Sequence, residues 1–172
     1  EWGFISNSPL KQFKQLREPP PVERYLTREE ATRLLAVSPE YLREIITFAL
    51  GTGMRKSEIF SLNWSDVSFN DESKTGVITV IGKGNKRRNI PMTGSIYDLL
   101  KMKKSRRQKS VYVFASPMTG GCIVTVDHSF ATALEKAGIS NFRFHDLRHT
   151  FATWMAQRGG DLYALQKLLG HS

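Results

Sequence analysis

Two stretches near the carboxyl end carry residues able to do chemistry: Phe144-His145-Asp146-Leu147-Arg148-His149-Thr150 and Leu168-Leu169-Gly170-His171-Ser172. A histidine and an arginine three apart on a helix share one face. Such a face sets a group that titrates near neutral pH beside a permanently charged, forked hydrogen-bond donor. That pairing suits a phosphate whose oxygens gain charge while a proton moves. With His145 at 0° on a helical wheel, Arg148 falls at about 300° and Leu147, Phe151 and Trp154 cluster at about 180–240°. The wheel predicts an apolar stripe facing the core, with His145 and Arg148 on an accessible face.

Two earlier clusters have similar potential. In Gly51-Thr52-Gly53-Met54-Arg55-Lys56-Ser57-Glu58, an arginine follows a glycine turn at a helix start, where backbone can approach a ligand closely. Considered alone, Arg55 reads first as a surface arginine, and Glu58 either orients a nearby cation or supports the helix. Lys83 and Lys86 sit on a turn between strands. A lysine there can lie along a DNA groove and deliver a proton, although solvated hairpin lysines are the commoner case. His171, taken singly, is a cap or a packing residue. His145 and His149 also mimic the two-histidine spacing of zinc hydrolases. Those motifs place a glutamate where this chain has the shorter Asp146, and Arg148 would set a positive charge beside the cation.

These residues need a scaffold, and 172 residues can bury a core as one domain of ordinary size. Twenty-five Lys and Arg against sixteen Asp and Glu give a net charge of +9 and a pI of about 9.8. A domain this basic carries the electrostatic footprint of a nucleic-acid partner. The single Cys122 cannot form an internal disulfide, which fits a reducing cytoplasm. No apolar run approaches the roughly 18 residues of a membrane span, and no signal-peptide pattern opens the chain.

Residues 1–24, with Pro19-Pro20-Pro21, read as the end of a preceding domain plus a stiff connector. Thr27-Arg28-Glu29-Glu30 is a capping box opening a first helix. A second helix is expected over about Glu40–Leu50 and a short third from about Lys56. Val77–Ile81 reads as a strand, and Arg87–Pro91 as its returning partner, placed at a sheet edge by Pro91. Further helices are expected near Ile96–Met102, Ser129–Ala137 and Phe144–Gln157. Asp161 and Gly170 would bound the last. The fold class is α+β, mainly α-helical with a small antiparallel sheet.

Taken together and in order, these clusters resemble the tyrosine recombinases, the phage integrase and Xer-like group. Gly51–Glu58 is similar to that family's first arginine box, Ile81-Gly82-Lys83-Gly84-Asn85-Lys86 to its catalytic-lysine hairpin. His145–Thr153 with Leu168-Leu169-Gly170-His171 is similar to its second box. The match runs from about Leu26 to Ser172.

The resemblance implies the recombinase catalytic-domain fold and strand exchange at specific sites on double-stranded DNA. A tyrosine attacks the scissile phosphate to give a 3′-phosphotyrosyl link, and neither metal, ATP nor another cofactor is implied. Arg55 and Arg148 would clamp nonbridging oxygens, and Lys83 would protonate the leaving 5′-oxygen. His145 would act as acid/base partner, His171 would donate to the phosphate, and Glu58 would support the site. Lys86 and Arg87 are expected to touch DNA. The family's nucleophile lies beyond the histidine matching His171, and none of Tyr25, Tyr41, Tyr97, Tyr112 and Tyr163 stands there. Tyr163 reads as a packing residue. The expectation is therefore a catalytic domain, 25–172, without its tyrosine segment and without an N-terminal clamp domain, which binds DNA but does not cleave it. Relatives form tetramers on DNA, whereas this piece alone is expected to be monomeric. A non-catalytic DNA-binding relative, and more remotely a zinc hydrolase, are the alternatives.

Overall fold

Seven helices and a three-stranded sheet make up the computed structural model, which describes residues 24–82, 87–106 and 110–170. Apart from Arg24, the expected linker over 1–24 lies outside the described residues, as do Lys83, Lys86 and His171.

Helix α1 (Arg28–Val37) starts as its sequence dictates: Thr27 Oγ1 accepts from the Glu30 amide at 3.1 Å, and Glu30 Oε2 accepts from the Thr27 amide at 3.0 Å. Helix α2 (Glu40–Thr52) is the spine of the molecule. Leu42, Ile45, Ile46, Phe48, Ala49 and Leu50 are all buried, so it is apolar nearly all round. It runs one half-turn past the expected Leu50 because Thr52 Oγ1 donates to the Phe48 carbonyl and Gly53, at φ 64°, closes it. A Cβ on Gly53 would stand 2.4 Å from Phe151 Cδ1 and 2.9 Å from Leu169 Cδ2. Only glycine allows that backbone to lie so close to the two later segments.

Helix α3 (Lys56–Phe60) follows, then β1 (Val67–Asn70), β2 (Thr75–Ile81) and β3 (Arg87–Thr93). The strands pair antiparallel in the order β1-β2-β3. Pro91 sits on edge strand β3, as a residue without an N–H must. The short β1 is an addition to the sequence reading; four residues give too little alternation to stand out. Period-two geometry decides which β3 side chains point inward. Ile90 and Met92 are buried, and Arg88 shares their face, while Arg87, Asn89 and Pro91 face outward.

Helices α4 (Ser95–Ser105), α5 (Asp127–Ala137), α6 (Asp146–Gln157) and α7 (Leu162–Leu169) complete the chain. The α5 helix begins two residues before the expected Ser129. Phe144 and His145 form a turn ahead of α6 rather than its first residues. The α6 helix packs on α2, and α7 rests between α6 and β3. The Leu26 amide donates to Thr150 Oγ1 and Trp154 Nε1 donates to the Leu26 carbonyl, both at 3.0 Å, fastening the start of the domain to α6. Tyr163 corrects the sequence reading: at 63% exposure it is no packing residue. Its place at the first turn of α7 turns it to solvent.

Candidate active site

Three backbone segments far apart in sequence meet where α2 ends, and each brings a guanidinium. The first is Arg55, the residue before α3. Its amide donates to Glu58 Oε2 at 2.8 Å, so Glu58 caps the helix from its third position, and Arg55 Nη1 donates to Glu58 Oε1 at 3.1 Å. The glycine turn and the carboxylate three residues on thus act as one device that aims the arginine.

The second is Arg88 from β3. Its Nη1 and Nη2 donate to Glu58 Oε1 and Oε2 at 2.9 and 2.6 Å, a fork on a carboxylate, and its Nε donates to the Leu168 carbonyl at 3.0 Å. Sequence reasoning missed this residue, naming Lys86 and Arg87 beside it as the DNA contacts. The signal that could have found it is the strand period, which puts Arg88 in line with Ile90 and Met92.

The third is Arg148 from α6, and here the wheel misled. Arg148 is 5% exposed, not on an accessible face. A wheel assigns sides of one helix and cannot foresee that the end of α7 covers this side. Its Nη1 donates to the Gly53 carbonyl at 2.8 Å and its Nη2 to the Leu169 carbonyl at 2.5 Å.

The last carbonyls of α7 therefore face a set of arginines: Leu168 accepts from Arg88, Leu169 from Arg148 and Gly170, at 3.4 Å, from Arg55. A helix C-terminus presents unpaired carbonyls and partial negative charge, which favours cations there.

Electrostatics follow from burial and crowding. Burial pushes the Arg148 guanidinium down to about 10, Arg55 and Arg88 add to this, and Glu58 opposes it. Glu58 is drawn upward by burial, yet hydrogen bonds from Arg88 and from the Arg55 amide, with the charge of Arg88, hold its carboxyl below its usual range. One carboxylate against three guanidinium groups leaves a net positive pocket suited to an anion.

His145 stands exposed at the head of α6, its ring 5.2 Å from that of His149. Partial burial lowers its pKa, and His149, Arg148 and Arg143 add to the effect against Asp146, so the imidazole is neutral at pH 7. Asp146 is buried and accepts from the Arg143 amide at 2.7 Å, and the described residues hold no group of three His, Cys, Asp or Glu that could bind a metal.

Of the sequence-based candidates, Arg55, Glu58 and Arg148 come together, His145 immediately precedes the helix that carries Arg148, and Arg87 points away on the outer face of β3. A cavity of about 410 Å³ between α2, α4 and residues 110–117 lies apart from this cluster. Its charges are already paired, as Lys103 with Glu44 and Arg106 with Glu40. No helix among the described residues is long and apolar enough to cross a membrane.

Residues 24–172 match the phage integrase family. The chain is similar to the integrase of Salmonella phage P22, at 29% identity over 99% of this chain and 46% of that protein. It is also similar to the tyrosine recombinase XerC of Caldanaerobacter subterraneus subsp. tengcongensis, at 33% identity over 98% of this chain and 50% of that protein. Among solved structures, the XerH site-specific recombinase, captured with its palindromic difH substrate in a post-cleavage complex, superposes with a TM-score of 0.75 and 25% identity. That match covers 98% of this chain and 53% of XerH. The chain spans about half the length of the curated relatives it matches.

Proposed function

Because the chain belongs to the phage integrase family and has the fold of a tyrosine recombinase catalytic domain, we propose that it is the catalytic domain of an enzyme that cuts and rejoins double-stranded DNA at specific sites. One observation carries the reading: Arg55 and Arg148, from opposite ends of the domain, converge on a shared, net positive pocket with Glu58 between the cations. In this reading their free N–H groups hold the two nonbridging oxygens of one phosphate and stabilise the charge that grows on them during attack.

A tyrosine hydroxyl attacks phosphorus, the 5′-oxygen leaves, and the phosphodiester is kept as a 3′-phosphotyrosyl ester. His145, neutral at pH 7, takes the tyrosine proton. Lys83 gives a proton to the departing 5′-oxygen, and His171 donates to the phosphate. The nucleophile is none of the five tyrosines of residues 1–172. Tyr41 and Tyr97 bond to Ser129 and Asp71, and Tyr163 stands at the end of α7 away from the arginines. Asp71 pushes the Tyr97 hydroxyl up to about 12, which makes it a poor nucleophile. Residues 25–172 form the catalytic domain, which works with a DNA-clamping domain and as a tetramer on DNA.

Covalent capture tests this. The full-length gene product is mixed with nicked duplexes from a randomised pool, and protein–DNA adducts are isolated after denaturation. A phosphotyrosyl adduct that Arg148→Ala abolishes is expected; intact protein that binds duplex yet never yields an adduct would leave only the DNA-binding reading.

A further inference from the structure

We propose that Arg88 is a positioning residue of the strand-cleavage site, holding Glu58 in the ionised state and orientation that aim Arg55 at the phosphate. The inference rests on the recombinase reading above. Three observations lead to it. Arg88 uses both ends of its fork on Glu58, at 2.9 and 2.6 Å, leaving the carboxylate no freedom to rotate away from Arg55. Its Nε reaches the Leu168 carbonyl at 3.0 Å, so the same side chain ties β3 to the end of α7, two residues from the carbonyl that Arg55 touches. Its side chain is only 11% exposed, and each of its three nitrogens already has a partner, two on Glu58 and one on the Leu168 carbonyl, so it holds the carboxylate in place.

The charges facing Glu58 are Arg55 at the start of its own helix, Arg88 from β3 and, at longer range, Arg148 from α6. Asp66 lies across a cavity of about 340 Å³ that Glu58 also lines. Without Arg88, burial favours a protonated Glu58, and Arg55 is the remaining direct partner opposing it. A protonated carboxyl holds Arg55 more weakly. Lysine at position 88 keeps a charge but cannot bond to both carboxylate oxygens and the Leu168 carbonyl at once.

The test uses the full-length gene product and a nicked duplex that the unaltered protein captures covalently from a randomised pool. Single-turnover cleavage is measured from pH 5.5 to 8.5, with duplex affinity measured alongside. Arg88→Gln is expected to slow cleavage about tenfold or more at pH 6, with affinity changed less than about threefold and the acidic limb, which His145 sets in the parent, carried to higher pH by protonation of Glu58. Arg88→Lys, the more conservative variant, is expected to recover part of the rate and return the limb toward its original position. In a Glu58→Gln background, Arg88→Gln should add little. A uniform loss at every pH in both variants, or full additivity with Glu58→Gln, overturns the inference, as does an unchanged rate. Failure of the unaltered protein to capture any duplex would instead count against the recombinase reading.

Discussion

The start of α3 and the first turns of α6 bring the same chemical group to one pocket under opposite conditions. The Arg55 side chain is 36% exposed and has its counter-charge beside it in Glu58. Arg148 is almost wholly buried and, among the described residues, bonds directly to the carbonyls of Gly53 and Leu169. Burial pulls its pKa down to about 10, while Arg55 is matched by a carboxylate and touches water. The difference separates two roles. Arg148 is a desolvated cation short of negative charge, so an entering phosphate gains most from it and the fold depends on it. Arg55 is supplied with its charge partner in advance and contributes aim.

The sharpest way to break this contrast is to remove each arginine in turn. Arg148→Ala should lower covalent capture by about a thousandfold. It should also destabilise the domain by about 2–4 kcal/mol, because two buried carbonyls lose their donors. Single-turnover assays and urea unfolding measure the two effects. Arg55→Ala should slow capture by about a hundredfold. Its unfolding free energy should stay within about 1 kcal/mol of the parent, since exposed ion pairs contribute little. Equal stability losses for both variants would erase the distinction.

Glu58 sharpens it through pH. Its folded pKa lies below its unfolded value, so the stability it contributes is complete above the unfolded value of about 4.3 and is lost as pH falls through the folded one. The gap in unfolding free energy between the parent and Glu58→Gln should therefore hold steady from pH 7 to 5 and narrow below about pH 4. A gap that widens on acidification would mean the carboxyl is not held ionised by Arg88 and Arg55.

His145 should give the smallest effect. Its lowered pKa keeps the neutral, proton-accepting form dominant at pH 7 and drains it only on the acid side. Cleavage by the parent should fall with a midpoint below about pH 6.5, and His145→Gln should be slower by about tenfold at pH 7 and lack that limb. The same limb persisting in the variant would assign it to another group.

Elements with local signals were legible in the sequence. The Thr27 capping box, the glycine end of α2, the β-branched run of β2 and the αL cap at Gly170 each depend on residues within a few positions of one another. The order of the boxes named Arg55, Glu58 and Arg148, which the fold brings together. What escaped depended on contacts across the fold. The burial of Arg148 is decided by where α7 ends, which no wheel of α6 contains. Arg87 and Arg88 are chemically alike, and only the register of β3 against β2, with Arg88 opposite Val80, turns one inward and the other outward. Tyr163 looked like a core residue by type and proved to lie on the open side of α7.

The direct test is a crystal structure of the full-length protein with a covalently captured nicked duplex. Convergence of the site on one phosphate predicts nonbridging oxygens of a single phosphate within about 3 Å of nitrogens on both Arg55 and Arg148. A captured phosphate held elsewhere, with Arg148 still bonded to Gly53 and Leu169 alone, would contradict it.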